Sequence, residues 1–345
     1  MKKSVKEKLP PIRTDNVGMM FVSDLQWSER PPVFRAVEKD WLEVQGRYID
    51  QLKELQRERG MVPIVMVGDL FDHHNPSHRL VNFLIARLRG MLVFAIPGNH
   101  DLLHHNYREI DKTGYWTLVE AGAIRHLESY IGPDGEPVGH AVGPVMLYPY
   151  PYGFPVQPCP KRPANIMQSV AVIHSYVWGS ESTRMPGATE ETRIGSWAKK
   201  LKGYDAAIFG DNHKPFFCQK VKDKVPAIAS CGTFLRRHSD EKEIRPRVTL
   251  LHTDDRISVH YLNTHNDLFF DAGEEVSRLE KNLEIDLGDF AEELGRLYAD
   301  KLDFAKIVLR WLEKAKPPDA VRILLKKAIG VKSHANRSSG RDPQA

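Results

Sequence analysis

Up to about Thr264 the chain alternates short apolar runs with longer stretches of mixed polarity. The runs "GMMFVS", "PIVMV", "LVFAI", "PVMLYPY", "VAVIH", "DAAIF", "PAIAS", "RVTLLH" and "ISVHYL" are strand-sized and rich in β-branched and aromatic residues. Between Ala36 and Glu58, Trp41, Tyr48, Leu52 and Leu55 recur at helical spacing, which predicts a helix. "SHRLVNFLIARLRG" predicts a second, opened by Pro76-Ser77 and closed by Gly90. Past about Gly203 the helical stretches give way to strands. Alternation followed by a strand-rich half predicts a layered α/β architecture, with sheets packed face to face and helices outside.

After Asn266 the pattern changes. Leu287, Phe290, Ala291, Leu294, Leu297 and Tyr298 share one helical face; Phe304, Ile307, Val308, Trp311 and Leu312 share another. Pro317-Pro318 breaks the run, and "DAVRILLKKAIG" predicts a third helix ending at Gly330. The expected organisation is a basic N-terminal extension (1–16), a main domain (17–264), a small helical C-terminal module (267–330) and a disordered tail (331–345) with almost nothing apolar. From Asp267 to Asp303 there are 12 Asp/Glu against 4 Lys/Arg, and from Phe304 to Ala345 10 Lys/Arg against 3 Asp/Glu. Such blocks suit two helices facing each other, a docking surface, or plain solvated faces.

Composition narrows the class only slightly. The 345 residues are 41% hydrophobic and 27% charged, as in ordinary soluble globular proteins. No apolar run approaches the ~18–20 residues of a membrane span, and "MKKSVKEKLPPIRTDN" lacks the apolar core of a secretory signal. Cys159, Cys218 and Cys231 have no CxxC spacing, which argues against a disulfide framework or thiolate metal site and fits a reducing cytoplasm. A net charge of +4 does not by itself announce a nucleic-acid binder.

The chemistry sits where apolar runs stop. "FVSDLQWS" ends with Asp24 and Gln26, "VMVGDLFDHHN" with Asp69 and Asp72, and "FAIPGNHDLL" with Asn99, His100 and Asp101. "AVIHSY" ends with His174, and "IFGDNH" with Asp211 and His213. One Asp after a strand is ordinarily a turn residue or helix cap. Five strand ends in succession that present oxygen and imidazole donors can converge on one point.

In order and spacing these pieces resemble the motifs of calcineurin-like metallophosphoesterases: D-x-H, G-D-x-x-D, G-N-H-D/E, a lone His after a strand, and G-H-x-H. Here they stand as Asp24-Leu25-Gln26, Gly68 to Asp72, Gly98 to Asp101, His174 and Gly210 to His213. The resemblance implies a four-layer α/β/β/α sandwich over 17–264 and two metal ions. One would be held by Asp24, Gln26, Asp69 and His213, the other by Asp69, Asn99, His174 and Asp211. Asp69 would bridge ions ~3.5–4 Å apart. His100 would contact the phosphoryl group and serve the leaving oxygen, with Asp72 and Asp101 orienting ligands or His100. Gln26 and Asp211 depart from the pattern, standing where the family usually has histidine. Loss of ligands would make the protein a metal-poor scaffold; oxygen donors in place of imidazole would instead favour Mn²⁺ or Mg²⁺ over zinc. An active manganese-type enzyme is the expectation.

The stretch "IASCGTFLRRHSDEKEIRPRVTLLHTDDRISVHYL" resembles the region after the last metal motif in SbcD-type nuclease subunits, phage and prophage members above all, as does the "PGA" loop at Pro186 to Ala188. This implies hydrolysis of DNA phosphodiesters in repair, recombination or phage DNA metabolism. It further implies an SMC-like coiled-coil ATPase partner (SbcC type) at the C-terminal helices, allows a homodimer, and places the protein in the cytoplasm. Hydrolysis of a small nucleotide ester is the enzymatic alternative. Arg236, Arg237 and Lys214 are candidate phosphate contacts. His73, His74, His78, His104 and His105 are further imidazoles, those after "GDLFD" and "GNHD" in loops near the site, and Trp27 is a candidate for stacking on a base.

Overall fold

The computed structural model describes residues 16–270, except 134, 198 and 221–224, together with Leu312. The expected N-terminal extension, helical module and tail therefore lie almost wholly outside the described residues. The chain divides into two compact units, Met1–Phe269 and Phe270–Ala345. Twelve strands occur in chain order: β1 (Val17–Val22), β2 (Ile64–Val67), β3 (Val93–Ile96), β4 (Arg125–His126), β5 (His140–Val142), β6 (Val145–Tyr150), β7 (Gln168–His174), β8 (Ala206–Gly210), β9 (Phe216–Cys218), β10 (Ala227–Ser230), β11 (Arg247–His252) and β12 (Ile257–Tyr261). The α-helices are α1 (Trp41–Glu58), α2 (His78–Leu88) and α3 (Gly114–Glu120).

The strands form two six-stranded sheets, ordered β12-β11-β1-β2-β3-β4 and β5-β6-β7-β8-β10-β9. The inner strands of each run parallel, and antiparallel strands close the edges at β11-β12, β5 and β9. Parallel sheets of this kind are buried on both faces, which is why their strands read as continuous apolar runs. On β1 the alternation divides the work. Met19 and Phe21 pack between the sheets with Val65, Val172, Ile208 and Ala229, while Met20 and Val22 pack under α1 and α2 with Trp41, Tyr48, Leu52 and Leu84.

Both long helices carry side-chain caps. Asp40 accepts from Glu43 N–H at 3.0 Å, and Ser77 accepts from Leu80 N–H at 3.2 Å. The Asp40 cap starts α1 at Trp41, the first residue of the apolar spacing and five residues into the stretch that opens at Ala36, and a 3₁₀ turn at Val33–Arg35 precedes it. The outer face of the second sheet buries Tyr148, Ile173, Phe209 and Ile228 against Trp197, Leu201 and Tyr204. Loops and 3₁₀ turns such as Ile194–Trp197 form this layer; among the described residues no α-helix does. The architecture is the expected layered α/β sandwich, with loops and turns as its fourth layer among the described residues. Because the central strands run in one direction, the C-terminal ends of β1, β2, β3, β7 and β8 lie together.

Candidate metal centre

Backbone pairing continues past the strand ends and fixes the loops that leave them. Asp24 N–H donates to Gly68 O at 3.2 Å, Gln26 N–H to Asp69 O at 2.9 Å and Trp27 N–H to Leu70 O at 2.8 Å, so the first two loops stay in register. Asp24, Gln26, Asp69 and Asp211 all have positive φ, at 51°, 43°, 51° and 81°. That left-handed region costs a non-glycine residue of order 1–3 kcal/mol and clusters at functional sites. It turns the side chains inward.

They converge on one centre. Asp24, Asp69 and His174, all buried, offer ligand atoms within 4.8 Å of one another. His174 Nε2 lies 3.4 Å from Asp69 Oδ1 and 3.2 Å from Asn99 Oδ1. Asp211 N–H donates to both Asp24 oxygens, at 3.1 and 3.2 Å. His213 Nε2 stands 3.9 Å from Asp24 Oδ1 and 3.3 Å from Gln26 Nε2. His100 Nε2 is 4.0 Å from Asp69 Oδ2. The residues that the motifs single out at five strand ends thus share one site.

Three imidazoles follow one rule. His174 Nδ1–H donates to Val67 O at 2.8 Å, His213 Nδ1–H to Glu241 Oε1 at 2.6 Å and His100 Nδ1–H to Asp72 O at 2.8 Å. With Nδ1 committed as a donor in each ring, Nε2 is the atom left to face the centre, where a cation would take it as a ligand. Glycines make room for this. A Cβ on Gly68 would lie 2.0 Å from His174 Nδ1, and one on Gly98 would lie 2.1 Å from Asp69 Oδ1.

Charge tells the same story. Burial pushes Asp24 up to about 6 against the pull of His213 and His174, and burial also raises Asp211. Asp69 is held low, because His174 and His100 overcome the effect of its burial. Burial would depress both imidazoles, but Asp69 drives His174 up to about 10, and Glu241 with Asp24 drives His213 up to about 9. Three clustered carboxylates thus demand positive charge, which protons on the imidazoles supply when nothing else does. Divalent cations fit this donor set of carboxylate and amide oxygens with two Nε2 atoms.

Several residues do other work than their sequence position suggests. The Asp101 carboxylate accepts from Leu70, Phe71 and Gly98 N–H at 3.1, 2.9 and 2.9 Å; it locks two loops together, and burial pushes it up to about 7. Asp72 orients His100 through its backbone carbonyl, while its carboxylate meets Arg237 Nη2 at 2.9 Å. Arg237 is only 4% exposed, and its Nη1 donates to Gln26 O, so it has no face for a DNA phosphate. Arg236 is likewise committed, to Asp267 Oδ2 at 2.9 Å and to the carbonyls of Thr264 and Lys242. Lys214 is half-buried and has no ion pair among the described residues. Trp27 is buried edge-on against Phe71 and cannot stack on a base. The rings of His73 and His74 meet tilted, 4.1 Å apart at their centroids, and His105 Nδ1–H donates to Asn99 O at 3.0 Å.

Two positions carried no role in the sequence reading. Buried Asn212 donates to Val177 O and Thr183 O at 2.7 and 2.9 Å, and so fixes the turn between Asp211 and His213. Glu241 lies 28 residues beyond the histidine it holds, and no local pattern links the two.

The sequence model of the calcineurin-like phosphoesterase family matches residues 18–215, a span that contains every motif residue from Asp24 to His213. The chain belongs to the calcineurin-like phosphoesterase family. Membership carries with it metal-dependent hydrolysis of phosphoesters, and the Asp24, Asp69 and His174 cluster is the phosphoesterase's candidate metal site. Among solved structures, a metallophosphoesterase from Sphaerobacter thermophilus is 10% identical, covering 76% of this chain and 93% of its own, with a TM-score of 0.33. Wild-type Vps29 from Entamoeba histolytica, complexed with Zn²⁺, is 13% identical over 73% and 95%, with a TM-score of 0.34. Likeness at this level carries no inference about activity. No curated protein matches the chain. No helix among the described residues is long and apolar enough to cross a membrane.

Proposed function

We propose that this phosphoesterase is a two-metal DNA nuclease of SbcD type. The observation that carries the reading is the common posture of His174, His213 and His100, each tied at Nδ1 with Nε2 turned to one carboxylate-lined centre. One ion would be held by Asp24, Gln26, Asp69 and His213, and the second by Asp69, Asn99, His174 and Asp211. When bound, the ions supply positive charge against the charge that develops on the phosphate and acidify the attacking water. Three carboxylates and two amides among seven donors favour Mn²⁺, with Mg²⁺ next.

The remaining work falls to the chain. The side chains of Asp24, Asp69 and His174 are at most 2% exposed, whereas that of His100 is 39% exposed. The floor is therefore enclosed and the mouth open, which suits a long diester that approaches from one side. His100 is no ligand. Its Nδ1 is held by Asp72 O, so Nε2 is the atom that meets the phosphoryl oxygen or hands a proton to the leaving oxygen. Lys214 remains as a phosphate contact, while Arg236 and Arg237 do not. The SbcD-type reading extends to DNA repair, recombination or phage DNA metabolism in the cytoplasm. It also extends to an SMC-like ATPase partner at residues 267–330 and to a homodimer.

The test gives purified protein Mn²⁺ with single-stranded DNA, duplex ends, nucleoside monophosphates and a generic diester, beside His100→Ala. DNA cleavage that disappears in His100→Ala supports the proposal. Hydrolysis of small nucleotides alone would replace it with the small-substrate reading. No hydrolysis and no bound metal would leave a scaffold.

A further inference from the structure

The family match ends at residue 215, yet a turn more than twenty residues further on touches three loops of the centre. Glu241 Oε1 accepts from His213 Nδ1–H at 2.6 Å, and Oε2 accepts from Arg237 and His238 N–H at 2.6 and 3.0 Å. The Arg237 guanidinium reaches Gln26 O with one arm and the Asp72 carboxylate with the other. Asp72 O in turn holds His100. One short segment therefore constrains the loops that carry Gln26, His213 and His100.

The other half of the centre is fixed by different groups. Val67 O holds His174, His105 Nδ1–H donates to Asn99 O, and Asp24 holds the Asp211 amide. The turn is anchored on its far side as well. Arg236 pairs with Asp267 at 2.9 Å, and Arg236 O accepts from Arg35 Nη1 at 2.7 Å. Fully buried Arg35 pairs with the same Asp267 at 3.2 Å, and Tyr48 Oη–H donates to it at 2.5 Å. Asp267 lies three residues before the second compact unit begins.

We propose that the 236–241 turn is the positioning element for one ion alone, the ion assigned to Asp24, Gln26, Asp69 and His213, with Asp267 as its anchor. This explains how a glutamine can stand at a ligand position. Gln is a weak, neutral donor, but here it is buried, its carbonyl accepts from Arg237 and its side-chain amide lies against His213 Nε2, so little freedom remains to be lost on binding. Glu241 does for His213 what outer-shell carboxylates do for metal-bound imidazoles: it fixes the tautomer and ring and raises basicity. Arg237 and Glu241 are positioning residues and touch no reacting atom.

The inference rests on the two-metal reading, and calorimetric titration of the full chain with Mn²⁺ separates the two. Wild type is expected to show two binding events. Glu241→Ala and Arg237→Lys weaken one of them roughly 10–100-fold, the usual cost of losing an outer-shell partner, and leave the other unchanged. Glu241→Gln keeps one of the two acceptor oxygens and loses the charge, so it weakens the same event by less than Glu241→Ala does. Asp267→Asn weakens the same event by a smaller factor. Circular dichroism establishes that each variant is folded, and the conservative Gln and Asn variants carry the test if the others are not. Equal weakening of both events, or of neither, overturns the inference while the two-metal reading stands. Fewer than two events in wild type removes both.

Discussion

Gly98→Ala tests how tightly the centre is built. A Cβ at position 98 would sit 2.1 Å from Asp69 Oδ1, 2.4 Å from Asp69 N and 2.6 Å from His174 Nε2. Ordinary contact begins near 3.4 Å, so the Asp69 carboxylate or the Gly98 loop must yield by more than an ångström. Neither yields easily. Asp69 is 1% exposed and accepts from His100 N–H, and Gly98 N–H is bound to the Asp101 carboxylate. Overpacking of this kind costs about 1–3 kcal/mol, which for a unit of this size lowers Tm by about 2–12 °C. Misplacing a reacting group by ~1 Å costs on the order of 10²-fold in rate. Gly90→Ala is the control. It has φ +80° but nothing within 4 Å, so it carries only the left-handed penalty of about 1–2 kcal/mol. Thermal unfolding, manganese content and turnover of a chromogenic diester would be measured for both. Gly98→Ala is expected to lose metal and activity together, whereas Gly90→Ala loses a little stability and nothing else. A Gly98→Ala protein that keeps wild-type metal content and rate would refute the assigned geometry.

Other expectations follow from the same contacts. His100→Ala should lower kcat by about 10²–10⁴-fold with metal content unchanged, since His100 is not among the ligands; elemental analysis beside turnover checks both halves. Asp211→His should shift preference from manganese toward zinc, and unchanged metal binding and rate would put Asp211 outside the site. His126 supplies a pH signature of stability away from the centre. Its Nδ1–H donates to Tyr115 Oη and its Nε2 accepts from Tyr107 Oη–H, both at 2.8 Å, and burial followed by His140 pushes it down to about 4. The unfolded chain takes up this proton near the ordinary imidazole value of 6.5, and the folded chain only near 4. Between those values the unfolded state binds more protons, so stability is full above about pH 6.5 and falls as pH drops toward 4, by at most on the order of 3 kcal/mol. Denaturant midpoints across this range should flatten in His126→Gln.

The nine strands expected from apolar runs all form; in all but β12, which is half-exposed at the sheet edge, burial on both faces leaves little polar alternation to hide them. The strands that escaped notice, β4, β5 and β9, are two or three residues long and carry exposed positions such as Arg125, Ala141 and Phe217, so their partners rather than their sequences make them strands. Helix α3 was equally silent: it spans seven residues, starts on a glycine, and owes its start to the Thr113 cap. At the centre, residue types and spacing made the donors legible. Burial and long-range partners were not. "FLRRHSDEKE" shows two arginines and three acids but not that Arg237 points inward to Gln26 or that Glu241 meets His213. A cation reads the same on a surface as in a buried pair until its partners are known.

Anomalous diffraction from crystals grown with Mn²⁺ tests the central claim most directly. The account predicts two peaks ~3.5–4 Å apart that share Asp69, one beside Gln26 and His213 Nε2, the other beside Asn99, His174 Nε2 and Asp211. A single peak, or a pair that leaves Gln26 or Asp211 without contact, would contradict it.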